Sequence, residues 1–519
     1  MQTYKQSTRP WWTSPYLWVV LALTSTLPFF FADIPPLTDL PNHIARYYIF
    51  LNIDHSPFLQ NYYHVQWHLI GNLGIDLIVR AIGPVLGAEL ATRVAVGIIP
   101  ALTIAGIYSV SRALNGQVAP SALIAVPFAY NWPLITGFVN FSLSAAMALL
   151  VLAFWIRMRA RSFIVRLLIF APLGFATWVA HTAGWGLLGL GVFGYEVARA
   201  YQLRGLSLRS LFSSALATFP FALMILFNLY WRTGTSTGVG VAVADNVFMD
   251  KVISLASLFR EEYIFWDAAS TLIFITLMIT GYFVGGKRVV AGALVITALY
   301  SLAFILCPTT LFNSGFADRR LLTYAAIFAA LSLGIAEHYL TDEKRRRVLS
   351  LFAIVAIVFF ATRIVITTVI WERSDREFNA HLTLLQNIPR HSRVFSLMVE
   401  PCNKKWSRVG RPDHLPQLAI VRRDSVINGL FQNSGLNQVE ALYQKWDGFN
   451  PNMLGTVHSD ICPIPYVRET LQTAIVRFPR DHFDYVWLLS PEPLPAFDTR
   501  GLRLIGSNGN DRLYQIVAG

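Results

Sequence analysis

The stretch LTDLPNHIARYYIF, Leu37 to Phe50, holds an acid, an imidazole and a guanidinium within eight residues. On a helix, Asp39, His43 and Arg46 fall at i, i+4 and i+7 and share one face. A partly desolvated carboxylate is a candidate general base. A nearby cation can steady an anionic leaving group. The same residues also fit a plain helix start, because Asp ahead of an early proline, here Pro41, is a common N-terminal signal. His43 and Arg46 are then ordinary interfacial side chains.

Other residues invite similar weighing. Arg319 and Arg320, in NSGFADRRLLTYAAIF, could grip a phosphate through their planar forks or snorkel to a membrane surface, with Asp318 as a helix cap. His181, in WVAHTAGWG between Trp178 and Trp185, could face a central cavity or sit in an interfacial aromatic belt. His64 and His68 have the spacing of a helical zinc pair, but no third ligand is evident. The Gly- and Thr-rich run from Trp231 to Asn246 reads as a mobile loop over a substrate or as a connector.

The elements that must position these groups are membrane helices. The 519 residues are 54% hydrophobic and only 14% charged. Apolar runs of roughly 20 residues recur along the chain. The net charge of +12 does not point to nucleic acid. Basic residues gather in short loops, at Arg157 to Arg166, Arg199 to Arg209, Lys287–Arg288 and Lys344–Arg347, which is the positive-inside pattern of a membrane protein. About eleven spans are expected, from 16–33 through 348–370, with the N-terminus inside. The segment 69–87 threatens that parity. Asn72, Asp76 and Arg80 recur every four residues on one face, so it reads as an amphipathic helix lying on the outer surface, with Asp76 and Arg80 paired. Residues 34–90 then form one structured outer loop. After residue 371 the composition turns polar. Residues 372–519 are expected to form an extracytoplasmic α/β domain, with strands in RVFSLMV, FDYVWLLS and RLYQIVA. HLPQLAIVRRDSVINGLF is ambiguous between helix and strand. Cys402 and Cys462 could pair there or stay as thiols.

FADIPPLTDLPNHIARYYIF resembles the first outer loop of the GT-C superfamily, integral-membrane glycosyltransferases that use polyprenyl-phosphate-linked sugars. Protein O-mannosyltransferases and lipid A aminoarabinose transferases are among them. The resemblance implies a transmembrane catalytic domain over 1–371 and an inverting transfer to a glycan, lipid or protein outside the cytoplasm. It implies that Asp39 activates or orients the acceptor hydroxyl. His43, Arg46, Asn140, His181, Arg319 and Arg320 would bind substrate. The chain departs from the family pattern twice. Asp39–Leu40 stands where many members have two acids, and Asn140 stands where several have an Asp. Asparagine cannot take a proton, so a divalent metal stays open as a cofactor but without paired carboxylates to support it. The expected location is a bacterial inner membrane. A transporter or flippase for a lipid-linked glycan, or a ligase, is the rival reading. A flippase would carry charges deep in its spans and matching broken helices.

Overall fold

A computed structural model describes residues 10–233, 241–243, 246–311, 314–400, 410–431, 437–445, 455–458 and 469–517. Helix dominates up to residue 382. The labelled helices are α1 (Pro15–Thr24), α2 (Leu40–Asn52), α3 (Gly74–Asn115), α4 (Val139–Arg157), α5 (Phe163–Ala180), α6 (Thr182–Arg204), α7 (Val247–Ala256), α8 (Ile264–Val284), α9 (Ala291–Leu306), α10 (Ala317–Leu331) and α11 (Glu343–Leu382). Among the described residues, α3, α4, α5, α8 and α11 are long and apolar enough to cross a membrane. A sixth crossing results if the pair Leu208–Ala217 and Phe219–Phe227, bent by 56°, is one span. That is fewer than the eleven expected. All eleven apolar segments do contain helix, but several helices are short: α1 and α9 have 10 and 16 residues, and α10 has 15.

Segment 69–87 is helical from Gly74, and the run breaks at Gly87, whose φ of 75° ends the first half. The expected pairing of Asp76 with Arg80 does not form. Asp76 is fully buried and turns inward to Arg46, 2.8 Å away. Arg80 instead lies 4.6 Å over the Trp67 ring. A buried acid gains more from a buried guanidinium than from an exposed neighbour, which explains the choice.

The C-terminal region adds α12 (Leu418–Arg423) and a six-stranded sheet. With β1 (Tyr63–Val65) in the first loop, the strands are β2 (Arg393–Glu400), β3 (Val426–Ile427), β4 (Val439–Ala441), β5 (Thr456–His458), β6 (Tyr485–Leu489), β7 (Leu502–Asn508) and β8 (Asp511–Ile516). The central strand β2 pairs in parallel with β3, β5 and β6, and β8 joins β6 to β7 by antiparallel pairing. The three expected strands are β2, β6 and β8. The ambiguous stretch is both things, with α12 followed by β3. β2 is apolar on both faces because both are covered. Val394 and Met398 join the core of the helical part, while Phe395, Leu397 and Val399 face a smaller cluster under Leu471 and Ile475.

Two ties weld this region to the helices. β4 pairs antiparallel with β1, Tyr63 opposite Ala441. α11 runs without a break across position 371, where the composition changes. Cys402, Cys462 and most of the Trp231–Asn246 run lie outside the described residues.

Candidate active site

Asp39 sits at the N-terminal boundary of α2 with Pro41 in the first turn, but its carboxylate caps nothing. Its backbone is fixed instead. Asp39 N–H donates to the Thr136 carbonyl at 3.1 Å, and its own carbonyl accepts from His43 N–H at 3.2 Å. Gly137, at φ 89°, lets the two segments close up, since a Cβ there would lie 2.6 Å from Asp39 N. The side chain is thus spared for the cavity it faces. Burial pushes the Asp39 carboxyl up to about 7, against the pull of the Arg320 charge.

Behind it, α2 builds a polar network. Arg46 bridges Asp76 and offers its Nη2 to His43 Nδ1 at 3.3 Å. Arginine can only donate, so His43 Nδ1 accepts and its proton sits on Nε2. Burial first, then the charges of Arg46 and His414, keeps His43 neutral, well below its usual range. Asn140 closes the network from α4. Its Nδ2 donates to Asp76 at 2.9 Å and to the Asn72 carbonyl at 2.9 Å, and its Oδ1 accepts from Ile75 N–H at 2.6 Å. The amide holds the start of α3 against α4.

The opposite wall supplies donors. His181 Nδ1 accepts from Ala183 N–H at 3.0 Å, which places the proton on Nε2. That Nε2 lies 3.5 Å from Arg320 Nη1. Two donors cannot bond each other, so both are available to an acceptor in the cavity. Arg320 is steadied by Ser314 Oγ at 2.9 Å and lies 4.2 Å over the Phe138 ring. Its buried Nε has no partner among the described residues. Phe316, one residue before α10, takes a left-handed backbone (φ 53°) that L side chains seldom adopt. Its ring is held against Trp132, 5.0 Å between centroids.

Arg319 turns the other way. It pairs with Asp250 of α7 at 2.8 Å, and Asp318 pairs with Lys251 at 2.5 Å instead of capping α10. This crossed pair of bridges clamps α7 to the start of α10. The sequence leaves open which of Arg319 and Arg320 meets phosphate; successive helix positions point about 100° apart, and Arg320 faces the cavity while Arg319 faces α7.

The C-terminal region reaches the same cavity. Asn42 Oδ1 accepts from Phe431 N–H at 2.9 Å, so its Nδ2 is the donor to Gly429 O at 2.9 Å and His414 Nδ1 at 3.3 Å. His414 therefore carries its proton on Nε2, which points to Asp39 Oδ1 at 3.7 Å. Burial lowers His414 to about 4, so it is neutral at physiological pH.

Asp39, His43, Arg46, Asn140, His181 and Arg320 all line one cavity of about 240 Å³, with Asn72, Ser314, Phe431 and Asn437. Of the residues expected to form the substrate site, Arg319 is absent from this lining. His414, Phe431 and Asn437 were missed because they come from beyond residue 371, and no local motif marks them. A second, mainly apolar cavity of about 280 Å³ shares Asn72, His181 and Arg320 and continues past Leu187 and Leu321. His64 and His68 do not form a helical pair, since His64 lies in β1 and His68 in an extended segment. Among the described residues no three His, Cys, Asp or Glu side chains gather as a metal site.

No protein-family model matches the chain, and neither does any curated protein sequence. Solved structures do match in fold. The crystal structure of ArnT from Cupriavidus metallidurans bound to undecaprenyl phosphate aligns with a TM-score of 0.50 at 13% identity, covering 97% of this chain and 99% of that one. The apo structure of the same protein gives a TM-score of 0.51 at 13% identity, covering 97% of each chain. Along nearly the whole chain the fold is thus similar to that of ArnT.

Proposed function

We propose that this protein is an inverting glycosyltransferase that moves a sugar from a polyprenyl-phosphate donor to an acceptor outside the cytoplasm. The observation that carries the reading is the content of one cavity. A carboxyl with a pKa near neutrality stands on one wall, and two hydrogen-bond donors with no acceptor between them stand on the other. An acid poised near the working pH suits a general base. Paired donors suit a phosphate oxyanion.

In this reading the acceptor oxygen attacks the anomeric carbon and its proton passes to Asp39. The bond from that carbon to the phosphate oxygen breaks, and the electron pair leaves with the polyprenyl phosphate. Arg320 and His181 Nε2–H receive the added negative charge. His414 Nε2–H, 3.7 Å from Oδ1, faces the carboxylate and favours its charged form. His43, Arg46 and Asn140 shape the sugar pocket, and the apolar cavity beside Leu187 takes the first isoprene units. Arg319 has no substrate role. The enzyme sits in a bacterial inner membrane with the cavity and C-terminal sheet on the outer side. The ArnT structure that holds undecaprenyl phosphate has the same fold, which supports a lipid phosphate as the partner.

The test is direct. Purified protein is incubated with a panel of undecaprenyl-phosphate sugars, and release of undecaprenyl phosphate is followed by mass spectrometry. Lipid extracts of cells with and without the gene are compared in parallel. One donor is expected to be consumed in vitro and to accumulate in cells lacking the gene. No consumption, with unchanged lipid-linked sugars, would sink the proposal.

A further inference from the structure

α4 begins at the Asp39 cavity and ends, about 28 Å away at 1.5 Å per residue, at a different cleft. This cleft, of about 810 Å³, lies between the C-terminal ends of α3, α4 and α6 and the start of α9. Five arginines line it: Arg112, Arg157, Arg159, Arg199 and Arg288. Among the described residues no Asp or Glu does.

The plain explanation is that basic loops fix orientation in the bilayer and that arginines at helix C-termini offset the helix dipoles. It falls short in magnitude. Three C-terminal ends carry about half a negative charge each, against five full positive charges. Glu196, 3.4 Å from Arg199, is already engaged by Arg166 at 2.6 Å. The first amides of α9, at Ala291 and Gly292, lack intrahelical acceptors and add to the positive end. Charges of one sign gathered in a concave site raise the local concentration of anions.

The cleft is not wholly polar. Leu114, Leu203 and Val289 also line it, and Leu203 and Val289 are exposed at its edge. A charged head beside apolar chains would satisfy both surfaces. We propose that this cleft binds the phosphate headgroup of an anionic phospholipid, whose acyl chains leave over Leu203 and Val289. The site is independent of the glycosyltransferase reading.

The experiment is native mass spectrometry of the full-length protein in detergent. It is titrated with phosphatidylglycerol and phosphatidylcholine of identical acyl chains, and separately with inorganic phosphate. Wild type should prefer phosphatidylglycerol at least tenfold. Surface electrostatics are worth about fivefold per basic residue, so R112Q/R157Q/R159Q should lose roughly 100-fold in phosphatidylglycerol affinity. R345Q/R346Q/R347Q removes as many charges outside the cleft and should leave the preference intact. Should the triple variant not fold, R157Q alone serves, because this exposed guanidinium has no protein partner among the described residues, and about a fivefold loss is expected. Equal binding of the two lipids by wild type, retention of the preference in the cleft variants, or its loss in the control would each overturn the proposal. Phosphate binding without any lipid preference would reassign the cleft to a soluble phosphate and overturn it too.

Discussion

The carboxyl of Asp39 should set the acid limb of the rate profile. Burial raises it to about 7, while the Arg320 charge pulls it down. A base must be ionised to accept a proton. At pH 6, one unit below its pKa, about a tenth of the carboxyl is ionised, and at pH 8 about nine-tenths is. Release of undecaprenyl phosphate, measured as kcat/KM from pH 5 to 9, should therefore rise about tenfold per unit and level off above 7. Asp39→Asn should lower the plateau by roughly 100- to 10,000-fold and abolish the limb. Arg320→Gln removes a charge that favours the carboxylate, so the limb should move to higher pH. Stability runs by the same linkage. The folded pKa lies above the ordinary value of 3.8, so the contribution is fully present below about 4 and lost as pH rises through 7. The loss can reach roughly 4 kcal/mol, three units at 1.36 each. Asp39→Asn should then melt no lower than wild type at pH 8. A well-folded Asp39→Asn enzyme with full turnover, or an acid limb unmoved by Arg320→Gln, would refute the reasoning.

Arg320→Gln should weaken retention of undecaprenyl phosphate in native mass spectrometry, while Arg319→Gln leaves it unchanged and lowers the melting temperature, because it breaks the bridge to Asp250 and the stacking on Trp132 and Phe316 outside the donor pair. Asp76→Asn strands the buried charge of Arg46 and should cost about 3–5 kcal/mol in unfolding assays, with much of the loss recovered in Asp76→Asn/Arg46→Met. Gly137→Ala drives a methyl into the Asp39 backbone at a φ of 89° and should cut kcat with normal expression and membrane insertion. His414→Ala should lower kcat more than it raises KM, and His414→Gln, which keeps a donor, should recover part of the loss.

The site was more legible than its mechanics. Asp39, His43 and Arg46 were visible because helical spacing puts three chemical groups on one face, and α2 delivers all three to the cavity. Apolar runs located the helices, but length and composition support fewer crossings than were counted, because bends and short helices look like full spans in a linear pattern. Asp76 was assigned to the wrong partner by local pairing, since nothing in the chain shows that α2 brings Arg46 within 2.8 Å of it. Arg319 and Arg320 were indistinguishable for a similar reason: their roles differ only through the 100° step that sends one to Asp250 and the other to the cavity.

The largest omission has a single physical cause. Polar composition after residue 371 suggests a region with its own core, yet one face of its sheet joins the core of the helical part through Val394 and Met398. A sheet docked in that way holds Asn42 by its loops, and Asn42 in turn fixes the tautomer of His414 beside Asp39. The surroundings of the acid are therefore assembled from residues nearly 400 positions apart, and the burial that raises its pKa depends on that docking. Weakening the β1–β4 pairing, at Val65 opposite Val439, should therefore lower the acid limb of the rate profile toward the ordinary carboxyl range, because water readmitted beside Asp39 favours its charged form. A limb that stays near 7 after the pairing is broken would place the cause of the shift within the helices alone.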